Sequence, residues 1–328
     1  MQTKIVSIEQ GLDDAVELIK SGDIVVFPTE TVYGLGANAF DGNAVRKIFE
    51  AKGRPMDNPL IAHIADISWI DELAIDVSDE AKAVIKAFMP GPITVILKRS
   101  DAVPNEVTAG LDTVGIRFPK HNVARRFIMA CGTPIAAPSA NTSTKISPTR
   151  AEHVFEDMQG RIPLILQGGE CEVGIESTIV DMTADVPTIL RPGAITADML
   201  VKVLGKVKNF DGKIIVAKAP GMKYKHYAPS CEMVVAESAE SAAYEYGRQT
   251  ALRRNPVIIG KNDYISDLGG FNVILLGKSD EEAMRNIYSA MHEAQDRYDY
   301  IICQDFGNDG LGASIMNRIN KASGGKRI

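Results

Sequence analysis

Apolar positions along the first two hundred residues alternate between helical and strand spacing. They recur at helical spacing from Ile8 to Ile19, Gly22 closes that element, and the unbroken apolar run Ile24–Phe27 then predicts a buried strand. Further strands are predicted at Leu60–Ile64, Ile93–Lys98, Gly115–Phe118, Ile135–Ala137, Leu164–Gln167, Ser177–Asp181 and Thr188–Arg191. Helices are predicted at Gly42–Ala51, Ser78–Phe88, Val123–Cys131 and Thr149–Met158, with Ser147-Pro148 as cap and first-turn proline of the last one. This alternation predicts an α/β domain.

The character of the chain changes after the last of these strands. Between Arg191 and Lys225 there are eight lysines and arginines, opposed only by Asp198 and Asp211. The stretch runs into Ala219–Pro229, whose Pro-Gly and Ala-Pro pairs limit the paths open to the backbone. The pattern predicts a linker with a defined path.

Beyond the linker, apolar runs again alternate with helical spacing. Strands are predicted at Met233–Ala236, Val257–Gly260, Val273–Leu276 and Tyr300–Cys303, and helices at Ser238–Arg253, Asp280–Gln295 and Leu311–Ala322. The pattern indicates a second, smaller α/β domain. The predicted boundaries are 1–205 for the first domain, 206–230 for the linker and 231–328 for the second domain.

Composition narrows the class of protein. The 328 residues are 45% hydrophobic and 24% charged, as in globular proteins. The net charge of −6 argues against non-specific binding of nucleic acid over the whole protein surface. The four cysteines form no C-x-x-C pair, so neither a disulfide framework nor a zinc knuckle is predicted. The amino terminus lacks a long apolar run. We therefore expect a cytoplasmic protein without a signal peptide or membrane span.

Familiar nucleotide and metal signatures do not explain the sequence. Gly34–Ala39 follows a strand and resembles a dinucleotide fingerprint, but no acidic residue ends a clear second strand about twenty positions later. Gly324-Gly325-Lys326 lacks the strand–helix context of a P-loop. The five histidines stand alone, without metal-ligand spacing. We predict no protein-held metal.

Four short motifs instead place basic or hydroxyl side chains beside glycine or proline. Such turns fix polar groups in place, and the pattern suits an anion such as a nucleoside triphosphate. The motifs are Lys52-Gly53-Arg54-Pro55 with Asn58-Pro59, Gly115-Ile116-Arg117-Phe118-Pro119, Pro138-Ser139-Ala140-Asn141, and Leu190-Arg191-Pro192-Gly193.

These motifs, together with Pro28-Thr29-Glu30-Thr31-Val32-Tyr33-Gly34-Leu35 and the linker run Lys223-Tyr224-Lys225-His226-Tyr227, resemble the two-domain threonylcarbamoyl-AMP synthases, whose first domain is YrdC-like. The resemblance covers the first domain and the linker nearly continuously. The second domain resembles the family mainly through Gly310–Arg318. The implied fold is a YrdC-like twisted mixed sheet with flanking helices, followed by a smaller Rossmann-like α/β domain.

The resemblance implies a reaction. L-threonine, bicarbonate and ATP give threonylcarbamoyl-adenylate and pyrophosphate, the first step toward threonylcarbamoyl-adenosine in tRNA. The threonine amine combines with bicarbonate, and the carbamate oxygen then reaches the α-phosphorus of ATP. Neither step needs a covalent enzyme nucleophile, so positioning and charge neutralisation supply most of the rate. Mg²⁺ is expected to arrive on the triphosphate. The implied partners include the downstream tRNA threonylcarbamoyl-transfer proteins and tRNA itself.

The resemblance also implies roles for individual residues. Lys52 and Arg54 would be catalytic and meet the ATP phosphates, and Arg117 would bind the threonine carboxylate. The remaining threonine-binding positions would be Thr31, His63, the backbone at Ala137, and Ser177. The remaining ATP-binding positions would be Asn58, Thr113, Ser139, Asn141, Ser147, Arg191 and Tyr227. The linker is expected to fold over bound ATP.

Structural explanations stay open for the same residues. A lone His63 after an apolar strand is often only a hydrogen-bonded structural histidine. Arg117 could form an ion pair with Asp112 or Glu106. Ser139 and Asn141 could be turn formers. Tyr224 and Tyr227 could pack the linker, and its lysines could form a solvated face.

Two other functions stay open. One is a double-stranded RNA or tRNA-binding module without turnover, because Lys52, Arg54, Arg117, Arg125, Arg126 and Arg191 could contact phosphates. Steep salt dependence of RNA binding would favour it. The other is a carbamoyl-transfer enzyme of hydrogenase maturation, which uses a related domain. That enzyme carries acylphosphatase and zinc-finger segments that this sequence does not have.

Overall fold

The structure is a computed structural model that describes residues 2–209, 227–266 and 269–328. These residues form two compact units. The first contains residues 2–143, 148–172 and 176–209, and the second contains 144–147, 173–175 and the described residues from 227 onward. Most of the predicted linker, 206–230, lies outside the described residues, so its path stays a prediction. Among the helices that the structure describes, none is long and apolar enough to cross a lipid bilayer.

The described part of the first unit contains one mixed sheet of twelve strands. The strands are β1 (Lys4–Ser7), β2 (Val25–Phe27), β3 (Gly34–Asn38), β4 (Ile61–His63), β5 (Ala74–Ile75), β6 (Ile93–Arg99), β7 (Thr113–Arg117), β8 (Ile135–Ala137), β9 (Leu164–Gln167), β10 (Thr178–Asp181), β11 (Thr188–Arg191) and β12 (Lys208–Asn209). Their order is β1-β9-β2-β3-β8-β4-β7-β6-β10-β11-β12, and β5 pairs with β6. Both parallel and antiparallel pairs occur, for example β4 with β7 and β4 with β8.

Helices flank this sheet. They are α1 (Ile8–Lys20), α2 (Gly42–Lys52), α3 (Ile70–Leu73), α4 (Asp79–Phe88), α5 (Asn105–Thr108), α6 (Asn122–Cys131), α7 (Ala151–Met158) and α8 (Ala197–Leu204). Side chains alternate between the faces of a strand, so β2 contributes to two cores. Val25 and Phe27 pack with α1 and α6 residues such as Phe127, whereas Val26 packs in the cluster that contains Ile48 of α2.

The described residues of the second unit form a four-stranded parallel sheet in the order β13-β16-β14-β15. Its elements are β13 (Glu232–Ala236), α9 (Ala239–Ala251), β14 (Pro256–Gly260), α10 (Asn262–Ile265), β15 (Val273–Leu275), α11 (Asp280–Arg297), β16 (Tyr300–Gln304) and α12 (Gly310–Ser323). Parallel strands joined through helices are the Rossmann-like arrangement predicted for this region. The predicted fold class is confirmed for both units.

The structure differs from the sequence predictions at three places. No strand was predicted at Gly34–Asn38, which forms β3, antiparallel to β2, and this agrees with the rejection of a dinucleotide fingerprint in Gly34–Ala39. Ser147-Pro148 does not cap α7: the helix begins at Ala151 after Arg150, and the Pro148 carbonyl accepts a hydrogen bond from Tyr33. Strands β1, β5 and β12 were not predicted, because they are short and at least half of the residues in each are exposed.

Candidate functional site

The loop of residues 28–33, between β2 and β3, forms the first part of the candidate site. All six residues are buried. Oγ1 of Thr29 accepts hydrogen bonds from the backbone N–H groups of Thr31 at 3.2 Å and Val32 at 3.3 Å, and it lies 2.7 Å from the Val32 carbonyl, to which it can donate. Such local side-chain bonds replace the missing ladder bonds of a loop. The loop side chains therefore have defined positions.

Arg117, at the end of β7, points its guanidinium at this loop. Its Nη1 donates to Oγ1 of Thr31 at 2.7 Å, and its Nη2 donates to Oγ1 of Thr29 at 3.3 Å. Oε1 of Glu30 lies 2.9 Å from Nη2, and Oε2 of Glu30 accepts a hydrogen bond from the backbone N–H of Lys120 at 3.2 Å. Arg117 is 4% exposed and Glu30 is 3% exposed. A buried guanidinium is thus fixed in orientation and paired with a carboxylate.

The partner of Arg117 differs from both acidic residues named as ion-pair alternatives. Arg117 pairs with Glu30, and Glu106 pairs with Arg46 instead. Glu30 was not predicted as a site residue, although it lies inside the motif Pro28–Leu35 and only three positions after the end of the buried strand β2. Its position between two threonines was the available signal.

His63, at the end of β4, lies next to Arg117 on the neighbouring parallel strand. Its Nδ1 is 3.0 Å from the Ile61 carbonyl, which can only accept, so Nδ1 carries the proton and Nε2 keeps its lone pair in the neutral ring. Burial, with a smaller contribution from the Arg117 charge, lowers the pKa of His63 to about 3. His63 is therefore a neutral hydrogen-bonding group at neutral pH.

Lys52, the last residue of α2, lies 2% exposed beneath the turn that contains Ser139 and Asn141. Its ammonium donates hydrogen bonds to the backbone carbonyls of both residues. The turn is also paired with β3, because Leu35 donates to the Pro138 carbonyl and Ala140 donates to the Tyr33 carbonyl. Burial, followed by the charge of Arg54, lowers the pKa of Lys52 well below its ordinary value. Lys52 thus fixes the Ser139–Asn141 turn, and its contact with phosphate stays a prediction.

The loop after α2 contains Arg54 and Asn58. Nη2 of Arg54 donates to the carbonyls of Asn58 at 3.0 Å and Pro59 at 3.3 Å, so the arginine closes its own loop. Asn58 is 1% exposed, and neither its Oδ1 nor its Nδ2 has a hydrogen-bond partner among the described residues. Burying an amide without partners costs free energy, which is expected where a ligand supplies them.

Ser177 and Arg191 form a third polar group beside β10 and β11. Arg191 donates from Nε to the Ser177 carbonyl at 3.0 Å and from Nη2 to the Ser177 hydroxyl at 3.2 Å. The same hydroxyl lies 2.8 Å from Oγ1 of Thr94. All three side chains are buried. Thr94 was not predicted, because a threonine inside an apolar strand gives no distinguishing signal.

The remaining predicted positions are spread over the fold. Ala137 ends β8, and its Cα pairs with that of Ile61, two residues before His63. Thr113 begins β7, so about 13 Å of strand separates its Cα from that of Arg117. Ser147 and Tyr227 belong to the second unit, where the Ser147 carbonyl lies 3.3 Å from a nitrogen of His292. Of the linker motif 223–227, only Tyr227 is among the described residues.

A metal-binding site was also sought among the described residues. The described residues contain no group of three or more histidines, cysteines, aspartates or glutamates that could bind a metal ion. What the first unit does contain is arginine and lysine side chains beside hydroxyl and amide groups. That donor set suits carboxylates and phosphates.

Two family models match the chain. Residues 17–193 match the family described as "Telomere recombination", and residues 195–324 match "Threonylcarbamoyl-AMP synthase, C-terminal domain". The two matches together follow the two-domain organisation predicted from the sequence.

Curated relatives match over nearly the whole chain. A threonylcarbamoyl-AMP synthase of Pyrococcus abyssi is 42% identical, over 98% of this chain and 98% of the relative. The threonylcarbamoyl-AMP synthase of Bacillus subtilis is also 42% identical, over 96% of this chain and 93% of the relative. The crystal structure of P. abyssi Sua5 complexed with L-threonine has a TM-score of 0.93 and 42% identity, with 100% of this chain and 98% of that chain covered.

Proposed function

The chain belongs to the threonylcarbamoyl-AMP synthase family, and from this premise we propose how its residues make threonylcarbamoyl-adenylate from L-threonine, bicarbonate and ATP. The observation that carries the proposal is the buried guanidinium of Arg117, oriented by Thr29, Glu30 and Thr31 beside the neutral ring of His63. The product is the intermediate for threonylcarbamoyl-adenosine in tRNA.

Threonine binding is assigned to the end of β7 and its neighbours. Arg117 binds the α-carboxylate, for which a planar guanidinium is the natural partner. Its Nε–H has no acceptor among the described residues and is available for a ligand. Nε2 of His63 accepts a hydrogen bond from the threonine hydroxyl, while Thr31, Ser177 and the backbone at Ala137 complete the pocket. The crystal structure of P. abyssi Sua5 complexed with L-threonine supports threonine as the ligand.

ATP binding is assigned to the motifs rich in Gly and Pro. Arg54 neutralises the phosphates, and Nδ2 of the unpaired Asn58 amide donates a hydrogen bond to a phosphate oxygen of the nucleotide. Lys52 adds positive charge under the Ser139–Asn141 turn and fixes its shape. The other assigned positions are Thr113, Ser147, Arg191 and Tyr227. Mg²⁺ arrives on the triphosphate oxygens, as is usual for this small, strongly hydrated cation.

The proposed chemistry needs no enzyme nucleophile. The deprotonated threonine amine and bicarbonate give a carbamate and water. A carbamate oxygen then attacks the α-phosphorus of ATP, the bond to the β-phosphate oxygen breaks, and pyrophosphate leaves. The residues bind, orient and neutralise charge, as in other phosphoryl and nucleotidyl transfers.

The decisive test is mass-spectrometric detection of threonylcarbamoyl-adenylate after purified protein is mixed with threonine, bicarbonate, ATP and Mg²⁺. The product should carry ¹³C from labelled bicarbonate and should disappear when any substrate is omitted. Folded protein that makes no adenylate but binds RNA with steep salt dependence would instead support the RNA-binding alternative. Contact with tRNA, the downstream transfer proteins and a cytoplasmic location stay predictions.

A further inference from the structure

Two atoms of the Arg117–Glu30 pair have unused hydrogen-bonding capacity. Oε1 of Glu30 lies 2.9 Å from an Arg117 nitrogen, yet the two are not aligned as a hydrogen bond, and no described group donates one to this oxygen. Nε of Arg117 likewise has no acceptor among the described residues. Both atoms are buried. One pair therefore offers an unused acceptor and an unused donor.

The remaining bonds of the pair keep both groups in place. The backbone N–H of Lys120 fixes the other oxygen of Glu30, and the hydroxyls of Thr29 and Thr31 fix the other two nitrogens of Arg117. Leaving a buried carboxylate oxygen and a buried N–H unsatisfied costs free energy. A ligand that carries one acceptor and one donor at adjacent positions would remove this cost.

An α-amino acid has that arrangement, with a carboxylate and an amino group on one carbon. We propose that Glu30 is a further threonine-binding residue: its Oε1 accepts a hydrogen bond from the α-amino group while Nε–H of Arg117 donates to the α-carboxylate. This rests on the proposed function, in which threonine is the substrate. The contact orients the nitrogen that must react with bicarbonate.

The net charge of the Arg117–Glu30 pair also favours an amino acid as the ligand. A lone buried guanidinium would attract any carboxylate, including bicarbonate. Paired with Glu30, it presents a net charge near zero, so a zwitterion is favoured over a simple anion. Glu30 therefore sets specificity for amino acids and keeps bicarbonate out of the threonine carboxylate position.

Calorimetry without ATP or bicarbonate tests this contact. The two ligands are L-threonine and 3-hydroxybutanoate of the same C3 configuration, which lacks only the amino group. The wild-type protein should bind threonine at least about tenfold more tightly. Glu30→Gln should lose about tenfold in threonine affinity and little or none for 3-hydroxybutanoate. Glu106→Gln, which alters another glutamate paired with an arginine, is the matched control and should change neither affinity.

Equal losses for both ligands in Glu30→Gln would mean that Glu30 only orients Arg117, and the amine contact would be wrong. If Glu30→Gln does not fold, the wild-type comparison decides alone, since equal affinities for the two ligands exclude the contact. Threonine binding that is unaffected by Glu30→Gln removes this inference and leaves the proposed function standing. Wild-type protein that binds no threonine removes both.

Discussion

His63 and Arg117 are Cα partners on the parallel strands β4 and β7, so the imidazole lies beside a fixed positive charge in a buried environment. Burial and the neighbouring positive charge both oppose the binding of a second proton to the ring. The pKa of His63 is accordingly lowered to about 3, burial being the larger cause. A histidine in this position is a hydrogen-bonding group and a poor proton acceptor at neutral pH.

The His63 ring should not titrate near neutrality. Its Cε1–H signal in NMR spectra should stay constant between pH 5 and pH 8. In the unfolded chain the same histidine binds a proton near pH 6.5, so the free energy of unfolding should fall as pH drops from about 6.5 toward 3. His63→Gln should reduce that slope. A titration midpoint between 6 and 7 in the folded protein would contradict the assignment.

Arg117→Lys should weaken threonine binding by roughly 1–3 kcal/mol, because an ammonium cannot reproduce the directed Nε–H donor of the fixed guanidinium. It should also lose bonds to the hydroxyls of Thr29 and Thr31. ATP affinity should change far less. Titration calorimetry with each ligand separately checks the difference. Equal losses for both ligands would place Arg117 between them or give it a structural role.

Arg54→Ala should reduce turnover on the order of a hundredfold or more, because Arg54 is expected to neutralise charge as pyrophosphate leaves. The fold should persist, since the bonds from Nη2 of Arg54 to the Asn58 and Pro59 carbonyls are local to its own loop. Steady-state kinetics and circular dichroism measure the two effects. Near-normal kinetics would remove Arg54 from the mechanism.

Lys52→Met should lower both stability and activity, in contrast to Arg54→Ala. The substitution leaves the Ser139 and Asn141 carbonyls without their buried donor, which should cost about 2 kcal/mol of unfolding free energy or more. Turnover should fall as well, because the turn loses its shape along with the charge. Urea unfolding of wild type, Lys52→Met and Arg54→Ala makes the comparison. Unchanged stability in Lys52→Met would show that the ammonium bonds contribute little.

Long apolar runs with clear periodicity allowed most of the fold to be predicted. β8, β9 and β11 were predicted with their observed bounds, and the helix predicted at Asp280–Gln295 appears as α11. β3 was missed because glycine and alanine give a strand no β-branched signal. Likewise, α7 begins later than predicted because the Pro148 carbonyl bonds to a distant backbone group, which sequence spacing does not reveal.

Prediction of the candidate site was less complete for a physical reason. The family motifs identified Arg117 and His63, and the sheet places them side by side. The acidic partner of Arg117 is Glu30, which lies in a loop 87 positions earlier in the chain. Neither charge pattern nor spacing in the sequence could therefore predict this ion pair. Lys52 shows the same limit, because its contacts with carbonyls of another loop depend on tertiary structure alone.

The pairing of β1 with β9 bears on how the protein is made. Lys4 is in register with Leu164, about 160 residues later in the chain. During synthesis on the ribosome, the first strand must therefore wait, with its edge unpaired, until the polypeptide through Gln167 has emerged. Contacts between such distant positions slow folding, because a long loop must close before they form. At a translation rate of about 5–20 residues per second, that wait lasts on the order of ten seconds or more. Chaperone dependence of the nascent chain should consequently end only after β9 has been translated.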